Sequence, residues 1–256
     1  MARIIAIANQ KGGVGKTTTA VNVAASLAAA EQKTLIVDID PQANATSGLR
    51  EIADNRNISI YELFAGDSAR IHDIIMPTQL DFLYILPSSR DLIGAEFELM
   101  SERKREYIFS KAVNRVRHEY DYIVIDSPPS LGLLTINTLV ASDSVLIPIQ
   151  CEYMALEGLG ALLDTTDRIR QKLNPDLKIE GILLTMHDIR YNISKQVEKD
   201  VRDHFGPLVF ETVISRTVRL AEAPSHGRPI ILYDAQSRGA LQYIALAREL
   251  IGKEFA

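Results

Sequence analysis

Uninterrupted runs of apolar residues recur along the 256-residue chain and are separated by segments with helical spacing. A strand with one face in water alternates apolar and polar residues, whereas most of these runs are apolar at nearly every position. Such runs are typical of strands that are buried on both faces of a sheet. The pattern predicts strands at residues 4–8, 35–37, 82–86, 122–125, 145–149, 179–184 and about 208–213, with a short candidate strand at 230–232.

The segments between these runs have the periodicity of amphipathic helices. Within residues 101–120, for example, Phe109 and Val113 fall near one stripe. Further helices are predicted at 152–173, 196–205 and 238–255. The alternation of strand and helix predicts an α/β fold, a doubly wound and mostly parallel sheet with helices on both faces. Because no linker, low-complexity tract or internal repeat interrupts the pattern, residues 1–256 are interpreted as a single domain.

A glycine-rich stretch joins the first predicted strand to the first predicted helix. Its glycines let successive N–H groups turn inward around phosphate oxygens, and the helix start adds its positive dipole. Lys16 is placed to reach the terminal phosphates, and the Thr17 hydroxyl to ligate Mg²⁺. The prediction is a phosphate-binding loop, and hence a P-loop NTPase type of sheet; the alternative is a turn without a ligand. The predicted phosphate contacts are Lys11, Gly12, Gly13, Val14, Gly15, Lys16, Thr17 and Thr18.

Asp126 directly follows the apolar run at 122–125. The carboxyl ends of parallel strands meet at one edge of a sheet, where ligands bind. A carboxylate buried there is costly unless a cation or a metal accompanies it. Asp126 is therefore interpreted as holding Mg²⁺, directly or through water. The alternative is a helix N-cap, since a helix-like segment follows soon after.

Asp38 and Asp40 follow the run at 35–37 in the same way. Pro41 favours an extended conformation before it, which aims the Asp40 carboxylate out of the strand end. Asp40 is therefore the candidate for positioning the attacking water, and Asp38 lies on the same face if the strand continues. The alternative is that both carboxylates cap the next helix or pair with lysines.

Composition and charge limit the classes of function. With 28 Lys and Arg against 33 Asp and Glu, the net charge is −5, so any contact with nucleic acid requires a local basic patch. The single cysteine, Cys151, excludes an internal disulfide framework and suits a reducing cytosol. No apolar stretch reaches the length of a membrane span. The predicted location is the cytoplasm.

Taken together, the motifs resemble those of the ParA/Soj partition ATPases, which have a deviant phosphate loop. Gln10 stands where the usual loop has its first glycine, and Lys11 adds a second lysine. The resemblance implies ATP and Mg²⁺, a homodimer that sandwiches ATP, and a signature lysine, here Lys11, that reaches the partner's nucleotide. Together with Lys16 and Asp40, which the motifs themselves indicate, Lys11 completes the predicted catalytic residues. The motifs lie at residues 9–18, 37–42, 120–129, 150–153 and 220–227.

The family also implies nonspecific DNA binding by the ATP-bound dimer, association with the nucleoid, and release when a ParB-type centromere-binding protein stimulates hydrolysis. The family's DNA-contacting arginine falls on Arg190, and Arg219, Arg216 and Arg228 are further candidates. The alternative is that all four are ordinary solvated charges.

The segment that faces the base in related proteins departs from their pattern. It often reads Ile-Pro-Arg-Asn, whereas residues 214–217 read Ile-Ser-Arg-Thr. Ser215 and Thr217 are the candidate base-side contacts, because Thr217 can still hydrogen-bond although Ser215 lacks the fixed φ of proline. ATP is favoured over GTP by the resemblance.

Two other functions share these motifs. A membrane-associated regulator of cell division of the MinD type requires a basic amphipathic C-terminal helix. The last predicted helix carries mixed charge, so no stable membrane association is expected. A repressor module is the other alternative, and it is disfavoured because no N-terminal extension offers a helix-turn-helix.

Overall fold

A computed structural model describes residues 1–49, 58–152 and 155–253. In this part of the chain one seven-stranded sheet has the order β3-β4-β2-β5-β1-β6-β7. Each neighbouring pair is parallel except β3 and β4. The strands are β1 (Arg3–Ile7), β2 (Thr34–Asp38), β3 (Met76–Pro77), β4 (Leu83–Leu86), β5 (Tyr122–Asp126), β6 (Ser144–Gln150) and β7 (Lys178–Thr185).

Helices connect the strands and cover the sheet. The α-helices are α1 (Lys16–Ala29), α2 (Asn44–Gly48), α3 (Tyr61–Phe64), α4 (Ile71–Ile74), α5 (Leu92–Glu98), α6 (Ile108–Val116), α7 (Leu133–Ala141), α8 (Ala155–Lys172), α9 (Asn192–Phe205), α10 (Val218–Glu222), α11 (Ile230–Tyr233) and α12 (Arg238–Gly252). Short 3-10 helices lie at Ser68–Arg70, Leu99–Ser101, Arg105–Tyr107, Arg117–Glu119, Gly206–Leu208 and Ala223–His226. The helix predicted at 101–120 is α6 with a 3-10 turn at each end.

The central strand shows why both faces of the sheet must be covered. Successive side chains of a strand point to opposite faces, and both Ile4 and Ile5 of β1 are fully buried. Ile5 packs in the apolar layer that α1 and α12 complete, whereas Ile4 packs with α6 on the other face. The prediction of a doubly wound, mostly parallel α/β sheet is therefore confirmed.

The strand predicted at about 208–213 is wrong. Val209 makes only an isolated bridge to Ile182 of β7. The N–H groups of Glu211 and Thr212 donate instead to the Glu249 carboxylate of α12, at 3.1 and 2.8 Å. The N–H groups of Phe210 and Ile214 on either side still donate to carbonyls of β7, so the Glu249 carboxylate interrupts a ladder that local sequence had suggested would be continuous.

The candidate strand at 230–232 is also wrong, because these residues form α11. Pro229 precedes the helix at its N-cap, and the N–H of Ile230 donates to the side chain of Asn22 at 2.7 Å. The edge strand β3 was not predicted. It has two residues, one of them Pro77, and Pro is tolerated in strands mainly at edges.

Gly181 of β7 lies under the ring of Phe210, and a Cβ there would stand 2.5 Å from a ring carbon. We expect Gly181→Ala to lower the free energy of unfolding by roughly 1–3 kcal/mol, the usual cost of overpacking a core. Urea denaturation measures the loss. Gly160→Ala in α8 is the matched control, since its Cβ would meet nothing within 4 Å and alanine favours a helix. Equal stability of Gly181→Ala and the wild type would contradict the close contact.

Candidate nucleotide-binding site

The glycine-rich loop runs from the end of β1 to the start of α1. Gly13 and Gly15 have φ angles of 77° and 86°, in the left-handed region that favours glycine. Gly15 is the N-cap of α1, and no side chain caps that end of the helix. The free N–H groups and the positive end of the helix dipole therefore face the loop, which is the arrangement that binds anions.

Neighbouring strands hold the loop in place. The Asn9 side chain donates to the carbonyl of Pro148 in β6 at 2.8 Å and accepts from the N–H of Lys11 at 2.9 Å. The Thr185 hydroxyl, at the end of β7, donates to the carbonyl of Val14 at 2.9 Å. Sequence reasoning assigned no role to Asn9 or Thr185. The available signal was a polar residue directly after a buried strand, at the edge where ligands bind.

The two lysines of the loop point in different directions. Lys16 is buried, and its Nζ donates to the carbonyl of Lys11 at 3.0 Å. Burial lowers the pKa of Lys16, while the charges of Asp126 and Asp40 oppose that shift. The Lys11 side chain is 38% exposed, and its Nζ lies 3.3 Å from Oε2 of Glu152. Lys16 thus faces the site of its own chain, whereas Lys11 lies at its outer edge.

Glu152 is the last described residue of the motif predicted at 150–153. Tyr153, the next residue of that motif, lies outside the described residues.

Asp126 ends β5 with a fully buried side chain, and no hydrogen bond reaches either of its carboxylate oxygens within the described residues. Burial raises its pKa well above the usual value and the charge of Asp38 adds to this, while Thr17 and Lys16 act in the opposite direction. The helix-cap alternative is wrong, because Gly132 is the N-cap of α7. A buried, unpartnered carboxylate next to Thr17 is suited to a cation.

Both carboxylate oxygens of Asp38 accept hydrogen bonds from neighbouring residues. Its Oδ2 accepts from the N–H and the hydroxyl of Thr46 in α2, both at 2.8 Å, and its Oδ1 accepts from the N–H of Asp40 at 3.1 Å. Burial raises its pKa to about 6 against these bonds. Asp38 therefore stabilises the first turn of α2, which is the helix-capping alternative that the sequence left open.

Asp40 stands at the same edge with less of its carboxylate occupied. Its Oδ1 accepts from the N–H of Gln42 at 2.9 Å, and its carbonyl accepts from the hydroxyl of Ser88 at 2.7 Å. The side chain is buried, and its charge acts on Lys16 and on Asp126. The sheet thus brings Lys16, Asp40 and Asp126 together.

The candidate base-side residues bond within their own neighbourhood. The N–H of Ser215 donates to Oε1 of Gln242 in α12 at 3.0 Å, and the Gln242 side chain donates to the Ser215 hydroxyl at 2.9 Å. Thr217 caps α10 by accepting from the N–H of Leu220 at 3.4 Å. Contact of Ser215 and Thr217 with a base stays a prediction.

A cleft of about 430 Å³ opens beside the first turn of α1. Its walls are Thr17 and Thr18 of α1, residues of α2, and the segment 223–228, which ends at Arg228. The described part of the chain therefore has an open cleft next to the glycine-rich loop. Arg228 lines this cleft, whereas the other three candidate arginines do not.

The remaining candidate arginines lie around the loop after β7. Arg190 is 78% exposed and pairs with Asp188 at 2.6 Å. The N–H of the exposed Arg216 donates to the carbonyl of His187 at 3.0 Å, which places its segment beside that loop. Arg219 pairs with Glu222 at 3.2 Å, and also with Asp234 at 3.5 Å.

Comparison with known proteins gives consistent results. Residues 2–179 match the family model described as AAA domain. The chain is 56% identical to the chromosome partitioning protein ParA of Myxococcus xanthus, covering 98% of this chain and 89% of that protein. It is 54% identical to the sporulation initiation inhibitor protein Soj of Bacillus subtilis, covering 98% of each.

A solved structure extends the match to the fold. Cobyrinic acid a,c-diamide synthase from Mycobacterium smegmatis, crystallised with ADP and magnesium, superposes with a TM-score of 0.85 at 36% identity. The match covers 98% of this chain and 94% of that one. The identities to ParA and Soj, over nearly the full chain, decide the assignment. The chain belongs to the ParA/Soj family of chromosome-partitioning ATPases.

Proposed function

We propose that this chain is an ATP-hydrolysing switch for DNA segregation, acting as one domain. The observation that carries the proposal is the buried carboxylate of Asp126, which has no hydrogen-bond partner among the described residues and stands beside Lys16 and Thr17. ATP with a divalent cation supplies both the phosphates for the loop and the charge that this carboxylate lacks.

Mg²⁺ fits the residues present. Thr17 and Asp126 would hold it, and Mg²⁺ is usually bound by one or two protein ligands together with substrate phosphates and waters. When bound, the cation neutralises charge on the β- and γ-phosphate oxygens. Within the described residues no group of three or more His, Cys, Asp and Glu side chains could hold a metal by itself.

Each polar group of the site has a distinct role in hydrolysis. Lys16 leaves the carbonyl of Lys11 to contact the terminal phosphates, and the N–H groups of the loop orient them. Asp40 positions the attacking water through its carboxylate. Lys11 leaves Glu152 and reaches the nucleotide of the partner in an ATP-bound homodimer, where it stabilises developing charge as an arginine finger does.

The ATP-bound dimer binds DNA without sequence preference. Arg190 is the principal phosphate contact, and Arg216, Arg219 and Arg228 are further contacts. A ParB-type partner stimulates hydrolysis and thereby releases the dimer from DNA. The protein works in the cytoplasm, where it associates with the nucleoid. Intrinsic turnover without the partner is weak. The exposed Arg190 supports this part of the proposal, since a phosphate contact has to be accessible.

ATP turnover, measured with DNA and a ParB-type partner present, tests the proposal. Lys16→Ala removes the cation that faces the phosphates, and we expect turnover to fall at least about 100-fold, the scale of losing one preorganised electrostatic contact. Lys172→Ala, at the end of α8, is the control for loss of a lysine and should keep full activity. Undiminished turnover in Lys16→Ala would falsify the proposed site.

Membrane association of the MinD type is the competing function. The apolar side of α12, which includes Tyr243, Leu246 and Leu250, is buried in the layer shared with α1. No helix of the described residues is both long enough and apolar enough to cross a bilayer. Co-sedimentation with anionic liposomes in the presence of ATP separates the two functions, because strong binding would favour the membrane regulator.

A further inference from the structure

The turn after β7 places an acid directly against the principal candidate for DNA contact. Nε of Arg190 donates to Oδ1 of Asp188 at 2.9 Å, and Nη2 donates to Oδ2 at 2.6 Å. The Arg190 side chain is 78% exposed, whereas that of Asp188 is only 11% exposed. The carboxylate therefore forms a bidentate hydrogen bond with the Nε–Nη2 edge of the Arg190 guanidinium, and the rest of that group faces solvent.

The backbone of the same turn fixes this carboxylate. The N–H of Arg190 donates to Oδ1 of Asp188 at 3.0 Å, and the N–H of Tyr191 donates to its carbonyl at 3.1 Å. Side-chain acceptors at this spacing form Asx turns. The hydrogen bonds from Arg190 lower the pKa of Asp188 to about 2, so the carboxylate is charged at neutral pH.

A second candidate DNA contact lies near the same acid. The backbone of Arg216 is hydrogen-bonded to the carbonyl of His187, the residue before Asp188. The positive charge of Arg216 also contributes to the low pKa of Asp188. Asp188 thus pairs with Arg190 and lies close enough to Arg216 to be influenced by its charge.

We propose that Asp188 restrains DNA binding by competing with the DNA backbone for the guanidinium of Arg190. This inference rests on the proposed function. Carboxylates and phosphates bind the same fork of N–H donors, so one must leave that edge of Arg190 when the other arrives. Exposed ion pairs are weak, and the exchange is therefore reversible. Asp188 lowers the affinity for DNA without abolishing binding, which favours release.

Asp188→Asn tests the competition, because it removes the charge and keeps an oxygen for the N–H of Arg190. Fluorescence anisotropy measures binding of the full chain with ATP to a duplex of arbitrary sequence, at several salt concentrations. We expect roughly two- to fivefold tighter binding, the scale of an exposed ion pair. Asp203→Asn, an exposed position of α9, removes the same net charge away from the turn and should have a smaller effect.

Two further variants make the result decisive. Asp188→Ser keeps a turn acceptor without the charge and should reproduce the gain if the amide disturbs folding. In the double variant Asp188→Asn with Arg190→Ala the gain should disappear, because the competition acts through Arg190. A gain that persists there, or a single variant that binds DNA no more tightly than Asp203→Asn, overturns the inference.

Arg190→Ala alone separates this inference from the proposed function. Loss of DNA binding in Arg190→Ala without a gain in Asp188→Asn leaves the DNA site standing and removes the competition. Wild-type affinity in Arg190→Ala removes Arg190 from the DNA site, and the inference falls with it.

Discussion

Asp40→Ala should stop ATP turnover while ATP binding persists. We expect turnover to fall by about 100-fold or more, the usual contribution of a positioned general base. The glycine-rich loop keeps its geometry, because Asn9 and Thr185 hold it independently of Asp40. The variant should accumulate as an ATP-bound dimer on DNA, which size-exclusion chromatography and filter binding detect.

Two comparisons make the Asp40 result specific. Asp81→Ala removes an exposed acid before β4 and should turn over ATP at the wild-type rate. Asp38→Ala should lower the free energy of unfolding, because the N–H and the hydroxyl of Thr46 lose their acceptor. If Asp40→Ala hydrolyses ATP normally, a different group handles the water.

Asp126→Asn should stabilise the metal-free protein and remove its response to Mg²⁺. A buried polar group without a hydrogen-bond partner lowers the free energy of unfolding by roughly 1–3 kcal/mol, and a buried charged group without one lowers it by more. We therefore expect the metal-free variant to exceed the wild type in the free energy of unfolding at pH 8, because the substitution removes the buried charge and keeps a polar side chain of the same shape. Urea denaturation in EDTA measures this, and titration of Mg²⁺ with ATP should then stabilise the wild type much more than the variant.

The pH dependence of this difference has a definite sign. Burial raises the pKa of Asp126 in the folded chain above its unfolded value, so the folded state holds the proton more tightly. The stabilising contribution of the protonated acid is complete below the unfolded pKa and is lost as the pH rises through the folded pKa. The advantage of Asp126→Asn should therefore be largest at pH 8 and shrink towards pH 5. A difference that is independent of pH would contradict a buried, titrating Asp126.

The sheet, and the edge at which the candidate site lies, were predictable because buried strands leave a strong local signal. The runs that became β1, β2 and β5 are each followed by the polar motif of the site, so strand ends and chemistry coincide in the sequence. The pairing of β1 with β5, which brings Lys16 and Asp126 close together, was not predicted and is seen only in the structure.

The remaining features depend on contacts between residues far apart in the chain. The Glu249 carboxylate accepts the N–H groups of Glu211 and Thr212 and interrupts the pairing of 208–213 with β7, and Asn22 accepts the N–H of Ile230, 208 positions away. The capping role of Asp38 depended on where Thr46 would fold. Side-chain acceptors of this kind have no periodicity, so a pattern search does not detect them.

The position of β1 has a consequence for synthesis of the protein. This first strand lies between β5 and β6, whose residues are made more than 100 positions later, and the helix that follows it packs against α12. Arg3 also donates to the carbonyl of Leu250 at 2.8 Å. The glycine-rich loop is therefore synthesised well before the residues that support it, and a nascent chain has no finished nucleotide pocket until β6, β7 and α12 have also been made.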